Sequence, residues 1–135
     1  MSLEENKIIA RRYPEEVYNR KNIDVLDEIM DENIINHWWE PEINGIKIIK
    51  EYVAKNLKAF PDVKFTIEDQ IAEGEKVVTR VSFIATHKGE FMGIAPTGKK
   101  VKVTGVVIFK ITNSKIVETW AEMDALSWMQ QLGVT

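Results

Sequence analysis

Residues 99–111, KKVKVTGVVIFKI, form the stretch that decides the fold class. Its apolar side chains alternate with a period of two, which predicts a long β-strand. One face of this strand is almost entirely apolar. The other face carries Lys102 and Lys110 at its ends but Val106 and Ile108 in its middle. A sheet with one face in water alternates more cleanly than this, so we expect the second face to be covered as well.

Three further strands are predicted around this one in the second half of the chain. The period of two begins at Val63, and strands are predicted over 76–87 and 115–124, with turn residues between them. An amphipathic helix is predicted over 125–132, and Gly133 is expected to end it.

The first half of the chain has helical spacing instead. Helices are predicted over 3–19, 23–30 and 45–60. Pro14 has no backbone N–H to donate, so it is expected to kink or split the first helix. The connecting segment 31–45 is expected to be irregular.

Three helices followed by a four-stranded meander indicate an α+β fold, with helices packed on one face of a mainly antiparallel sheet. No repeat, linker or low-complexity tract divides the 135 residues, so one domain is expected over 1–135. Since no helix is left to cover the outer sheet face, we expect a homodimer formed sheet to sheet. The alternative is a monomer with scattered exposed apolar residues.

Composition excludes several classes of protein. The chain has no cysteine, which removes thiol nucleophiles, disulfide scaffolds and thiolate metal sites. A net charge of −3 argues against a nucleic-acid-binding face. No apolar run approaches the roughly 20 residues of a membrane span, and residues 1–12 lack the layout of a signal peptide. We therefore expect a cytoplasmic protein that binds neither nucleic acid nor membrane.

Motifs for cofactor, phosphate or metal binding do not occur. The sequence has no glycine-rich phosphate loop, no nucleophile elbow and no HExxH. Its two histidines lie far apart, so neither a metal nor a cofactor is expected. Any chemistry must then come from a pocket.

Two segments carry the strongest candidate site residues. In the first, NHWW over 36–39, His37 is either a pocket donor or a core histidine, and the indoles either line a ligand site or close the end of the fold. In the second, Trp120 and Asp124 share one face at the end of the last strand. A carboxylate desolvated beside an indole can act as a general acid or base. Asp124 could equally cap the last helix.

Two weaker candidates lie on the strand that ends near residue 87. His87 begins a loop, where ligand contacts are common, but it is as often a surface residue. Arg80 lies among apolar neighbours and needs an acidic partner or a ligand if it faces inward; a buried ion pair is the simpler interpretation.

A set of short segments runs in order along nearly the whole chain: Arg11–Tyr13, Asn22–Leu26, Ile35–His37, Ala59–Asp62, Thr86–Gly98, Lys115–Glu118, Asp124–Leu126 and Gln131–Gly133. Together they resemble the SnoaL-like polyketide (ester) cyclase family, within the nuclear transport factor 2-like superfamily. The resemblance implies a cone-shaped α+β barrel, with a strongly curved sheet wrapped on helices around a deep apolar pocket.

The resemblance also implies a reaction, an intramolecular aldol condensation without metal or cofactor. On this interpretation Asp124 is the acid/base and His37 donates to the enolate oxygen. The substrate is expected to be a small apolar carbonyl or aromatic compound. The residues expected to bind it are Trp39, His87, Trp120, Phe91, Met92, Tyr13 and Arg80. The alternative is a binding protein of the same fold that performs no chemistry.

The chain departs from the family pattern at three places. Pro14 stands where relatives usually carry tyrosine, which predicts that a pocket hydroxyl is lost. Asn36 replaces an aspartate before His37. The pair Trp38–Trp39 replaces smaller residues, which predicts a narrower mouth and argues against a bulky polycyclic substrate.

Overall fold

The computed structural model describes residues 2–38 and 43–134, the side chain of Ile43 excepted. Trp39, predicted to bind substrate, lies outside the described residues. None of the described helices is long and apolar enough to cross a membrane.

The first helix changes its hydrogen-bonding pattern at the proline. Helix α1 spans Leu3–Arg12, and a π-helix continues it over Tyr13–Asn19. Because Pro14 cannot donate to the preceding turn, the regular α-helical ladder ends there. The break predicted at this residue therefore takes the form of a π-helical segment, a feature often found at functional sites. It places Tyr13 and Tyr18, five residues apart, in ring contact.

Three more helices follow: α2, Val25–Ile29; α3, Ile46–Ala59; and α4, Ala125–Leu132. The predicted end of α4 is confirmed, since Gly133 adopts a left-handed conformation with φ of 81° that glycine accommodates without a steric penalty. The side-chain amide of Gln131 joins α4 to the sheet. It accepts from the Lys102 N–H and donates to the Lys102 carbonyl, at 2.8 Å in both cases.

The described strands form one six-stranded sheet: β1, Met30–His37; β2, Ile43–Asn44; β3, Lys64–Glu73; β4, Lys76–Thr86; β5, Lys100–Thr112; and β6, Lys115–Met123. Their order across the sheet is β2-β1-β6-β5-β4-β3. β1 runs parallel to β6, and every other described pair is antiparallel. Irregularities in register within three of these pairs bend the sheet.

The prediction of four strands was wrong, because the segment predicted to be irregular contains β1 and β2. The reason lies in Asn36, a polar residue that is fully buried. Its side-chain oxygen accepts a hydrogen bond from the Thr119 hydroxyl, which is also buried. A polar residue at an inward position interrupts the apolar alternation by which a strand is recognised.

The core lies between the helices and the inner face of the sheet. Its largest fully buried side chains include Leu26, Ile49, Phe109, Ile111 and Ile116, which come from both layers. In strand β5 the buried side chains are the alternate apolar residues predicted from the sequence: Val101, Val103, Val107, Phe109 and Ile111.

The outer face of the sheet carries an apolar row at its centre. Strand register aligns Ile71, Val78, Ile108 and Trp120 across four strands, and His37 continues the row on β1. Ile71 is 67% exposed. The partly apolar outer face predicted from the sequence is thus present, while the homodimer that would cover it stays a prediction.

Candidate functional site

A cavity of about 230 Å³ lies between the helices and the inner face of the sheet. Its walls are mostly aromatic and aliphatic, as in small-molecule sites. Their aromatic side chains include Tyr13, Tyr18, Trp38, Phe83, Phe109 and Trp128. A dry apolar cavity of about 150 Å³ already admits benzene. The space here therefore suits a molecule of one or two rings.

Two tyrosine hydroxyls give this apolar wall a polar element. Tyr13 and Tyr18 are each 6% exposed, and their rings meet edge to face. The Tyr18 hydroxyl oxygen accepts a hydrogen bond of 3.1 Å from the side-chain N–H of Asn56. Pro14 also lines the cavity and brings no hydroxyl to it, while Tyr13 and Tyr18 supply hydroxyls from the same π-helical segment.

Burial raises the pKa of both tyrosines. For Tyr13 desolvation is the largest cause, and the neighbouring Tyr18 adds to it. For Tyr18 desolvation again dominates, and Tyr52 adds to it. Desolvation favours the neutral phenol over the phenolate. Both groups therefore remain protonated and can donate hydrogen bonds at neutral pH.

Several donors on the wall are unused. The Tyr13 hydroxyl and the indole N–H groups of Trp38 and Trp128 are buried and have no hydrogen-bond partner among the described residues. The Tyr13 and Tyr18 hydroxyls interact, which raises the pKa of Tyr13 and partly offsets the rise in the pKa of Tyr18, but the Tyr13 hydroxyl forms no hydrogen bond in the described part of the chain. An unsatisfied buried donor costs about 1–3 kcal/mol, so most such groups in native proteins are paired.

Asp124, predicted to be the acid/base, is not on the cavity wall. It is an exposed residue whose carboxylate accepts a hydrogen bond of 3.1 Å from the Ser127 N–H and caps α4. The capping alternative is the one found in the structure. Strand parity explains this placement, because Ala121 and Met123 of β6 line the cavity. Glu122 also contributes to the wall, although it is exposed.

His37 and Trp120 lie on the outer face of the sheet. Asn36 and Thr119 are buried inward, so the next residue on each strand points outward. The His37 ring stacks on Trp120 with centroids 5.2 Å apart, and its Nε2 lies 2.6 Å from a Glu118 carboxylate oxygen. The predicted roles of His37 as an enolate donor and of Trp120 as a substrate contact therefore have no support from the cavity.

His87 is a fully buried core residue, against both alternatives considered for it. Its Nδ1 accepts from the Thr97 N–H at 3.2 Å and lies 3.0 Å from the Thr97 hydroxyl. The ring stacks against Phe60, which does line the cavity. His87 thus packs against a residue of the cavity wall but does not itself line the cavity.

The loop residues and Arg80 also lie off the wall. Phe91 is buried and stacks on Trp128 at 4.6 Å, so it holds a wall residue in place. Met92 is 60% exposed. Arg80 faces solvent and forms an ion pair of 2.7 Å with Asp69. The acidic partner expected for Arg80 exists, but the pair is exposed where a buried one was predicted.

The cavity residues Tyr18 and Asn56, which were not predicted, have only a weak signal in the sequence. Tyr18 has the spacing of a buried residue in the first helix, which does not distinguish a core tyrosine from a pocket tyrosine. Asn56 lies three residues after Val53 on α3, next to a buried stripe, where a polar residue needs a partner. Within residues 2–38 and 43–134, no three histidine, aspartate or glutamate side chains form a group that could hold a metal.

Comparison with solved structures places this architecture among known proteins. AclR of Streptomyces galilaeus, a candidate hydroxylase, is 27% identical over 99% of this chain and 84% of its own, with a TM-score of 0.88. IdmH of Streptomyces antibioticus, a candidate polyketide cyclase, is 25% identical over 96% and 99% of the two chains, with a TM-score of 0.80. TsrD of Streptomyces laurentii shares the fold at 23% identity, 100% and 99% coverage and a TM-score of 0.91.

No curated protein matches the chain significantly. The model of the SnoaL-like polyketide cyclase family does match, over residues 7–132. This match covers nearly all of the helices, the sheet and the cavity described above, and it confirms the resemblance found in the sequence. The chain therefore belongs to the SnoaL-like polyketide cyclase family.

Proposed function

We propose that this protein binds a small, mainly apolar carbonyl or aromatic molecule in the cavity and holds it in a fixed pose. The observation that carries the proposal is an aromatic wall that contains unused hydrogen-bond donors. Aromatic side chains supply area for a flat ligand, and the donors supply orientation. The volume argues against a polycyclic ligand.

The size of the cavity sets the expected affinity. A ligand that buries ~200 Å² of apolar surface gains ~5 kcal/mol at about 25 cal/mol per Å². Association costs part of this gain, since the ligand loses translational and rotational freedom. We therefore expect dissociation constants in the millimolar range for simple probes, since about 4 kcal/mol of net binding free energy corresponds to roughly 1 mM.

Binding is favoured over acid–base catalysis by the ionisable groups of the wall. Among the wall residues that the structure describes, Glu122 is the only carboxylate, and it is exposed. A general base must reach the proton that it removes, directly or through one water. Asp124, bound to the Ser127 amide, is not placed for this role.

The binding proposal can be tested with 1-indanone, a two-ring ketone, in a calorimetric titration. We expect one ligand to bind per chain. Val107→Phe should abolish binding because Val107 lines the cavity and a phenyl ring there fills it. Val106→Phe is the matched control, since the adjacent residue lies on the opposite face of β5 and is not part of the wall. Wild-type protein that binds no probe, or equal affinity in the two variants, would contradict the proposal.

A second candidate function is ring closure of a small polycarbonyl compound without a cofactor. It is favoured by the family match and by the neutral tyrosine donors of the wall. A cavity that folds a flexible substrate supplies much of the rate enhancement by proximity. A tyrosine hydroxyl can stabilise the developing enolate oxygen, and Glu122 is the acidic residue to test as the base because it is among the residues that line the cavity.

The two carboxylates can be compared directly in an assay of ring closure of 2,6-heptanedione, followed by NMR. Glu122→Gln should lower turnover if Glu122 is the base, while Asp124→Asn should leave it unchanged. The reverse outcome would restore Asp124 as the acid/base implied by the family resemblance. If wild-type protein does not accelerate ring closure, binding without chemistry is the function that remains.

We also propose that two copies of the chain pair through the outer sheet face. The apolar row of Ile71, Val78, Ile108 and Trp120 supports this. Beside it, the charges of Arg80 and Asp69 offset each other in an ion pair. A face of this kind is suited to burial against an identical apolar surface.

A further inference from the structure

The Tyr18 hydroxyl is a hydrogen-bond donor that has no acceptor among residues 2–38 and 43–134. Its oxygen accepts from the Asn56 side chain at 3.1 Å, which fixes the hydroxyl and occupies one of its lone pairs. None of the hydrogen bonds among the described residues uses its proton. Tyr18 is only 6% exposed and lines the cavity, so bulk water has little access to this donor.

Tyr13 adds a second donor at the same end of the cavity. Its hydroxyl is buried and unpartnered, and its ring centroid lies 5.5 Å from that of Tyr18. The π-helical segment brings the two together. One cavity wall thus presents two phenol groups whose protons are unused.

The surroundings of these donors restrict the ligand. Tyr13 is flanked by Trp38 and Phe109, at centroid distances of 6.1 and 5.9 Å, and Tyr18 by Phe65 at 5.2 Å. No lysine, arginine or histidine is among the described wall residues. A carboxylate ligand would enter without a positive charge to offset its desolvation, which is costly. A neutral oxygen acceptor in an otherwise apolar molecule satisfies the donors without that cost.

We propose that Tyr18, held by Asn56, and Tyr13 together bind the carbonyl oxygen of a neutral ketone, aldehyde or ester, and so orient it in the cavity. This inference rests on the proposed binding function and specifies its ligand class. Asn56 is a positioning residue in this arrangement. By donating to the Tyr18 oxygen it polarises the hydroxyl and makes its proton a stronger donor.

The test uses two probes of nearly equal shape, 1-indanone and indane, which differ by one carbonyl oxygen. Dissociation constants are measured for wild-type protein, Tyr13→Phe, Tyr18→Phe and Asn56→Leu. We expect the wild type to prefer the ketone. Each Tyr→Phe change should weaken ketone binding by roughly fivefold to tenfold, as expected for one hydrogen bond to a neutral acceptor, and leave indane binding unchanged.

Infrared spectroscopy provides a second readout that a change in folding would not imitate. The carbonyl stretch of bound 1-indanone should lie at lower frequency than in an apolar solvent, and it should move back toward that value in Tyr18→Phe. Asn56→Leu should reduce the shift while Tyr18 is still present. Tyr13→Phe removes no existing hydrogen bond, so it remains informative even if Tyr18→Phe is destabilised.

The possible outcomes distinguish failure of the proposed carbonyl site from failure of the proposed binding function. If wild-type protein binds both probes but the Tyr→Phe variants bind the ketone as tightly as wild type does, the carbonyl site is overturned and the binding function stands. If wild-type protein binds neither probe, the binding function itself fails. Selective loss of ketone affinity together with the infrared change supports the site.

Discussion

The rings of Tyr13 and Tyr18 lie edge to face, with centroids 5.5 Å apart and an interplanar angle of 86°. They belong to the π-helical segment that Pro14 opens, and they differ in one respect. The Tyr18 oxygen accepts a hydrogen bond from Asn56, whereas the Tyr13 hydroxyl has no partner among the described residues. Two buried residues of the same type therefore make different contributions to stability.

Tyr13→Phe and Tyr18→Phe should change the free energy of unfolding in different ways. Removing the unpartnered Tyr13 hydroxyl should leave it within about 0.5 kcal/mol of the wild-type value or raise it, because no hydrogen bond is lost. Removing the Tyr18 hydroxyl strands the Asn56 N–H and should cost about 1–2 kcal/mol. Urea denaturation of the two variants measures both values. Equal losses would mean that the Tyr13 hydroxyl is hydrogen-bonded after all.

Stability should fall at alkaline pH because of the same two residues. An unfolded tyrosine ionises with a pKa of about 10, and burial raises the pKa of Tyr13 and Tyr18 in the folded protein. The stability linked to these groups is complete below the unfolded pKa and is lost as the pH rises above it. Denaturation curves between pH 8 and 11 should show this loss, and it should be smaller in Tyr13→Phe. A flat profile would contradict the burial of these phenols.

Asp124→Ala should lower stability and leave ligand affinity unchanged. The carboxylate caps α4 by accepting from the Ser127 N–H, and loss of such a cap costs about 1 kcal/mol. Asp124→Asn keeps an oxygen acceptor and serves as the control that should remain close to wild type. Melting temperature and 1-indanone affinity are the two measurements. An unchanged melting temperature in Asp124→Ala would argue against the capping role.

Sedimentation should report the mass of two chains at micromolar concentration. Ile108→Lys places a charge in the middle of the apolar row on the outer face and should shift the protein to the mass of one chain. The same substitution at Ile8, which is 61% exposed on α1, is the control and should leave the mass unchanged. A wild-type mass of one chain would remove the proposed pairing.

The sequence was sufficient to predict the regular parts of the fold. Strands β4, β5 and β6 and the helices have the apolar spacing of their secondary structure, and Gly133 ends α4 as expected. Strand β1 was missed because Asn36, an inward residue, is polar and is hydrogen-bonded to Thr119, which lies 83 positions away in the sequence. A partner that distant leaves no local pattern.

The candidate site was harder to predict for a related reason. Periodicity groups Trp120 and Asp124 on one face of the chain, but it does not say which face of the sheet encloses the cavity. That choice depends on the pairing of β6 with β1 and β5, including an irregularity in register near Ile111. Tyr13, which the resemblance predicts to bind substrate, lines the cavity, and its contact with Tyr18 depends on the π-helical segment.

In helix α4, the residues that attach the helix to the rest of the fold differ from the residue that lines the cavity. Polar groups fix this helix at both ends. Asp124 caps its first turn, and the Gln131 side chain forms two hydrogen bonds with the Lys102 backbone near its last turn. Its contribution to the cavity comes from a different residue, Trp128. Because neither anchor depends on the indole, a smaller side chain at this position should enlarge the cavity and leave both polar anchors in place, at the cost of the ring contact with Phe91. Substitution of Trp128 is therefore the change by which engineering or natural variation could extend the range of ligands that the cavity accepts. The strands of the sheet would not be altered.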